Sequence, residues 1–86
     1  MPVISTFFGI IIRMFYQEHE PPHFHAEHHG DHAKFSFDGT LLAGGLRSRA
    51  ANRRVQRWAA LHRRELDANW ARINAGQPLE RIEPLE

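Results

Sequence analysis

The chain has 86 residues, 42% of them hydrophobic, with no cysteine and a formal net charge of +1. That length makes one domain with a marginal core, because so short a chain buries only roughly 60–65% of the surface its unfolded form exposes. Without cysteine there is no disulfide framework, thiolate zinc site or thiol nucleophile, so any metal must rest on imidazole and carboxylate.

The net charge conceals an asymmetry. Residues 1–46 sum to −3, whereas residues 47–86 hold nine arginines and sum to +4. The split coincides with a change of hydrophobic period, which reads as two layers of one domain, 1–46 a sheet and 47–76 a helix, followed by an irregular tail over 77–86. The apolar run Phe7–Ile12 stops at Arg13, far short of the about 20 residues of a membrane span. No basic stretch precedes it as in a signal peptide. A cytoplasmic protein with no membrane contact is expected.

Taken in order, Val3–Phe8 and Ile10–Tyr16 are β-branched and aromatic, with Gly9 between them as a bend or bulge. Gln17–Pro22 is polar, ends in two prolines and reads as a loop. A third strand starts at His23, where extended geometry sends His23, His25, Glu27 and His29 to one face and Phe24, Ala26 and His28 to the other. Alternation of Ala33, Phe35 and Phe37 with Lys34, Ser36 and Asp38 predicts a fourth strand, and Asp38-Gly39 a hairpin into a fifth, Thr40–Ala43. From Ser48, a plausible N-cap, the period becomes helical. Ala51, Val55, Trp58, Ala59, His62, Leu66, Asn69, Trp70 and Ile73 share one stripe of a helix of about 28 residues, straight or kinked, that ends at Gly76. The fold expected is α+β: an antiparallel twisted sheet of four or five short strands with one long amphipathic helix packed on it.

Six of the seven histidines lie between His19 and His32. Imidazole ligates borderline metals, and an i, i+2 pair on a strand sets two rings on one face, so His19, His23 and His25 form a candidate site for zinc, nickel or copper. Glu18, Glu27 or Asp31 would add an oxygen donor. His62 and Asn69 fall inside the apolar stripe and must find partners there. His62 is a fourth candidate ligand if it reaches His23 or His25. The same histidines with Arg13 would supply base, acid and phosphate clamp for RNA cleavage. No complete catalytic signature accompanies them, so binding is expected over catalysis. Arg49, Arg53, Arg54, Arg57 and Arg64 crowd the polar side of the helix, where arginine suits phosphate or carboxylate.

The segments Phe8-Gly9-Ile10-x-Ile12-Arg13-Met14-x-Tyr16, His19-x-Pro21-Pro22-His23-Phe24-His25-Ala26, Trp58-x3-His62, Asn69-Trp70 and Ile82-Glu83-Pro84-Leu85 together resemble the domain-of-unknown-function family 4160, small bacterial proteins often encoded beside another short protein. The resemblance runs over nearly the whole chain and matches the family pattern at Arg13, Tyr16, His19, His23, His25, His62 and Asn69. The chain departs from that pattern at Leu46-Arg47 and at His28-His29. What the resemblance implies is a binding or regulatory component of a toxin–antitoxin-like pair, with a cognate short protein, nucleic acid or a second copy of the chain as partner. It brings no activity with it. A metal-binding protein or small hydrolase or ribonuclease using His23, His25 and His62, with Arg13 and Tyr16 beside them, stands as the alternative.

Overall fold

Two tight reversals set the sheet. At Phe8-Gly9 and His29-Gly30 both turn residues have positive φ, 51° and 75°, then 47° and 84°. That is the two-residue hairpin whose twist matches the flanking strands, and glycine makes its second position accessible. The computed structural model describes residues 2–86. Strands β1 (Val3–Phe7), β2 (Ile10–Arg13), β3 (His23–His28), β4 (Asp31–Ser36) and β5 (Leu41–Gly44) form one antiparallel sheet in sequence order, followed by helices α1 (Arg49–Leu61) and α2 (Arg63–Ala75). The protein is α+β.

Register decides which residues face the helices. Ile12 pairs with Ala26, Ala26 with Ala33, and Phe24 with Phe35, all buried. Trp58 of α1, fully buried, lies 5.5 Å from the rings of both Phe7 and Phe24. The alternate residues, Ile11 with Glu27, Arg13 with His25, and His25 with Lys34, occupy the opposite face and are only half-buried. The helices thus cover one side of the sheet.

The single long helix expected from the periodicity is two helices. A straight helix of about 28 residues would run roughly 42 Å, whereas the longest extent of the molecule is 34 Å. His62, at φ −118° and ψ 28°, breaks the path, its amide donating to the Trp58 and Ala59 carbonyls. The break re-aims α2, so that Trp70 packs against Phe37 and His23 at the end of the sheet. Ser48 caps α1, its side chain accepting from the Ala51 amide. No helix is long and apolar enough to cross a membrane.

The tail has no regular structure, yet it is tied down. Ile82 is buried and its amide donates to the Ile4 carbonyl at 2.7 Å, partnering the outer edge of β1. The Trp58 indole donates to the Glu83 carbonyl at 2.9 Å. Asn69, fully buried, donates to the Glu80 carbonyl and accepts from the Glu80 amide. Tail docking therefore satisfies two of the polar groups that the apolar stripe carries inward.

Candidate metal centre on the open sheet face

β3 sets His23 and His25 two residues apart, and the loop after β2 folds Glu18 back over them. One ligand atom from each of these three residues lies within 4.8 Å of the others. His25 Nε2 donates to Glu18 Oε1 at 2.7 Å. His23 is 3% exposed, and its Nδ1 lies 2.8 Å from the Pro21 carbonyl oxygen. A carbonyl only accepts, so Nδ1 carries the proton, and in the neutral ring Nε2 holds the lone pair. That Nε2 sits 3.3 Å from Glu18 Oε1 without a hydrogen bond and has no other partner.

This arrangement meets the main demand of a transition-metal site. A backbone carbonyl fixes the tautomer of one ring, leaving its other nitrogen pointed at an anionic oxygen. Zinc bonds of about 2.0–2.1 Å imply tetrahedral edges of about 3.3 Å, the separation found between His23 Nε2 and Glu18 Oε1. The shorter His25–Glu18 contact would open by roughly half an ångström as metal replaced the proton. Three protein donors leave a coordination position free. Phe15 lies edge-on to His25 at 4.7 Å, and Trp70 backs His23 at 5.6 Å, so both rings are braced by aromatic neighbours. Burial pushes the Glu18 carboxyl up, but the hydrogen bond from His25 and the closeness of His23 outweigh it and hold the group below its ordinary value.

The other candidates lie apart from this trio. His19 is exposed and lines the hollow that Glu18 and His23 also line, outside the three-donor group. His62 is also outside it: its Nδ1 bonds Glu65 Oε2 at 2.6 Å and its ring lies 5.7 Å from Trp58. The Arg13 guanidinium is paired with Glu27, and the Tyr16 hydroxyl donates to the Gln77 carbonyl at 2.7 Å. Of the three acids named as extra donors, only Glu18 joins the histidines: Glu27 is engaged by Arg13, and Asp31 lies across from His28 at the other end of β3, where it pairs with Arg47. Lys34 and Phe15 also border the site, and neither is among the residues that the sequence singles out for it. The β3–β4 alternation could have placed Lys34 beside His25, whereas nothing in the local pattern marks Phe15.

On the far side of the molecule, Arg49, Arg53 and Arg57 are exposed at i, i+4 spacing, and α1 contains no acidic residue. None of the three has a carboxylate within 4 Å among the described residues. Arg54 differs, its guanidinium lying 4.2 Å over the ring of Phe8. Arg64 is exposed on α2.

The family described as a domain of unknown function, DUF4160, matches residues 9–71. The chain belongs to that family. The match takes in β2, β3 and the whole Glu18–His23–His25 trio, and it ends within α2. No curated protein and no solved structure matches the chain.

Proposed function

We propose that this protein of the DUF4160 family is a metal-binding domain whose centre, formed by Glu18, His23 and His25, holds one divalent transition ion such as zinc, nickel or copper. The observation that carries the reading is the buried His23 Nε2, which has no hydrogen-bond partner and faces a carboxylate oxygen. A buried imidazole nitrogen left in that state costs free energy unless a proton or a cation lies between it and the anion. An ion there would keep an open position on the uncovered face of the sheet. Water bound at such a position is acidified toward neutrality and becomes a nucleophile, which makes hydrolysis the reaction class the centre suits. Tag-free protein titrated with zinc in a calorimeter tests this. One ion per chain is expected, retained by His62→Ala and lost by Glu18→Ala. A wild type that takes up no zinc, nickel or copper overturns the reading.

A second reading is supported by the arginine stripe. Like charges at i, i+4 destabilise a helix by about 0.2–0.5 kcal/mol per pair, and Arg49 also opposes the dipole at the first turn of α1. An anionic partner, nucleic acid or a cognate acidic protein in a two-protein module, would offset both. The centre and the stripe belong to different faces, so one protein can carry both functions.

A further inference from the structure

We propose that the metal centre takes a phosphate group as its ligand, with Lys34 holding the oxyanion beside the ion; the inference rests on the metal reading above. Lys34 stands directly across from His25 in the β3–β4 register, which puts their Cβ atoms about 4.5–5.5 Å apart on the same face. It is half-buried and borders both hollows of the open face, one lined also by Phe15, His25 and Glu27, the other by Glu18, His23 and Leu42.

The two acids that share the sheet face with Lys34 are already committed, and Glu20, at the rim of the second hollow, is exposed to solvent. Glu27 is paired with Arg13, and Glu18 with the two histidines. No carboxylate of the described residues lies within 4 Å of the Lys34 ammonium. On an ordinary solvated sheet face a lysine flanked by two glutamates would bridge to one of them. Here it is left as a half-buried cation with its counter-charges spoken for.

Charge then selects the ligand. With neutral imidazoles, a divalent ion and Lys34 together outweigh the Glu18 carboxylate by two positive charges, since the Arg13–Glu27 pair cancels and the exposed Glu20 at the rim of the hollow is screened by solvent. A terminal phosphate near neutral pH carries about −1.5 to −2, whereas a carboxylate or an internal phosphodiester carries one negative charge. A phosphate dianion, free or as a monoester, therefore balances the site. One of its oxygens would take the open metal position and another would accept from the ammonium. Leu42 and Phe15, beside the two hollows, provide apolar contact for the organic part of an ester.

The test uses the full chain loaded with cobalt(II), whose visible absorption reports both uptake and any change of ligand at the open position. Inorganic phosphate, phenyl phosphate and acetate are titrated in turn into wild type and Lys34→Gln. The proposal expects phosphate to perturb the cobalt bands at concentrations at least about tenfold lower than acetate does. It expects Lys34→Gln to keep its cobalt affinity and lose about tenfold or more in phosphate affinity, the worth of one charge-assisted hydrogen bond. Tighter binding of phenyl phosphate than of inorganic phosphate assigns the ligand to monoesters, and the reverse order assigns it to the free anion. Phosphate affinity unchanged in Lys34→Gln, or acetate binding as tightly as phosphate, overturns the phosphate proposal and leaves the metal centre standing. A wild type that binds no cobalt overturns the centre and the phosphate proposal together.

Discussion

His23 turns its Nδ1–H to the carbonyl oxygen of Pro21, 2.8 Å away, and so presents a bare Nε2 to the carboxylate of Glu18. The Pro21 carbonyl thereby does for His23 what an outer-shell carbonyl does for a ligating histidine. It fixes the tautomer before any ion arrives, and less of the binding free energy is spent on orienting the ring.

Metal should stabilise the fold measurably, because an ion that binds only the native site shifts the folding equilibrium toward it. At a free zinc concentration of about 100 times Kd the gain is roughly 2.7 kcal/mol, and for a domain of this size that raises Tm by roughly 10–20 °C. Calorimetry on tag-free protein should show this shift in wild type, His28→Ala and His29→Ala, since those two rings stack on each other at the β3–β4 turn, outside the trio. Glu18→Ala should melt at the same temperature with and without zinc. A zinc-dependent shift preserved in Glu18→Ala would remove that residue from the ligand set.

Asn69 is the clasp of the tail. Replacing it with leucine leaves the Glu80 amide and carbonyl without the side chain that satisfies both, at a cost of about 1–3 kcal/mol. Hydrogen exchange checks the mechanism directly. The Ile82 amide, bonded to Ile4 on β1, should lose protection in Asn69→Leu while amides of β3 keep theirs. Trp58→Ala should be more damaging, about 3–5 kcal/mol, because it empties the centre of the core and also removes the indole donor to Glu83.

Acid should loosen the β4–β5 turn in a defined window. The Ser36 hydroxyl and then the Thr40 amide donate to Asp38, holding its carboxyl down from 3.8 to about 2. A carboxylate lowered on folding stabilises the native state above its unfolded value and loses that contribution as pH falls through the folded one. The Thr40 amide shift of the folded protein should therefore titrate with its midpoint at about 2, and the titration should vanish in Asp38→Asn. A midpoint at the ordinary carboxylate value would contradict the turn geometry.

Much of this architecture is legible in the sequence. The alternation through Ala33, Phe35 and Phe37 marks an apolar face and the change of period at Ser48 the start of the second layer, whereas the face of β3 that carries His23 and His25 is decided only by the β3–β4 register. The break at His62 is not legible, because residues on both sides of it share one helical stripe. The site was readable as residue types but not as a set. His23 and His25 follow from strand geometry, whereas the choice of Glu18 over Glu27 depends on Arg13 claiming the latter. That pairing joins residues 14 apart in sequence, beyond any local pattern. Tail docking is hidden for the same reason, since Asn69 meets Glu80 only once α2 has formed.

If the arginine stripe binds a polyanion, charge reversal at Arg53 and Arg57 should leave the melting temperature nearly unchanged and weaken association with a duplex or single-stranded oligonucleotide. Each lost phosphate contact reduces the slope of log K against log salt by about 0.7–0.9, so the double variant should lose somewhat under 2. Anisotropy titrations at several salt concentrations read this slope. An unaltered slope would contradict nucleic-acid binding at this surface, and an acidic protein partner would then be the remaining occupant of the second reading.

Metal binding turns on the Glu18–His23–His25 trio, and the side-chain nitrogens of the histidines report on it most directly. Long-range proton–nitrogen correlation spectra of uniformly labelled, tag-free protein should show His23 protonated at Nδ1 before metal is added. With one equivalent of zinc, Nε2 of His23 and of His25 should shift together while both nitrogens of His62 stay in place. Zinc that shifts His62 or the His28–His29 pair and leaves Nε2 of His23 untouched would contradict the account.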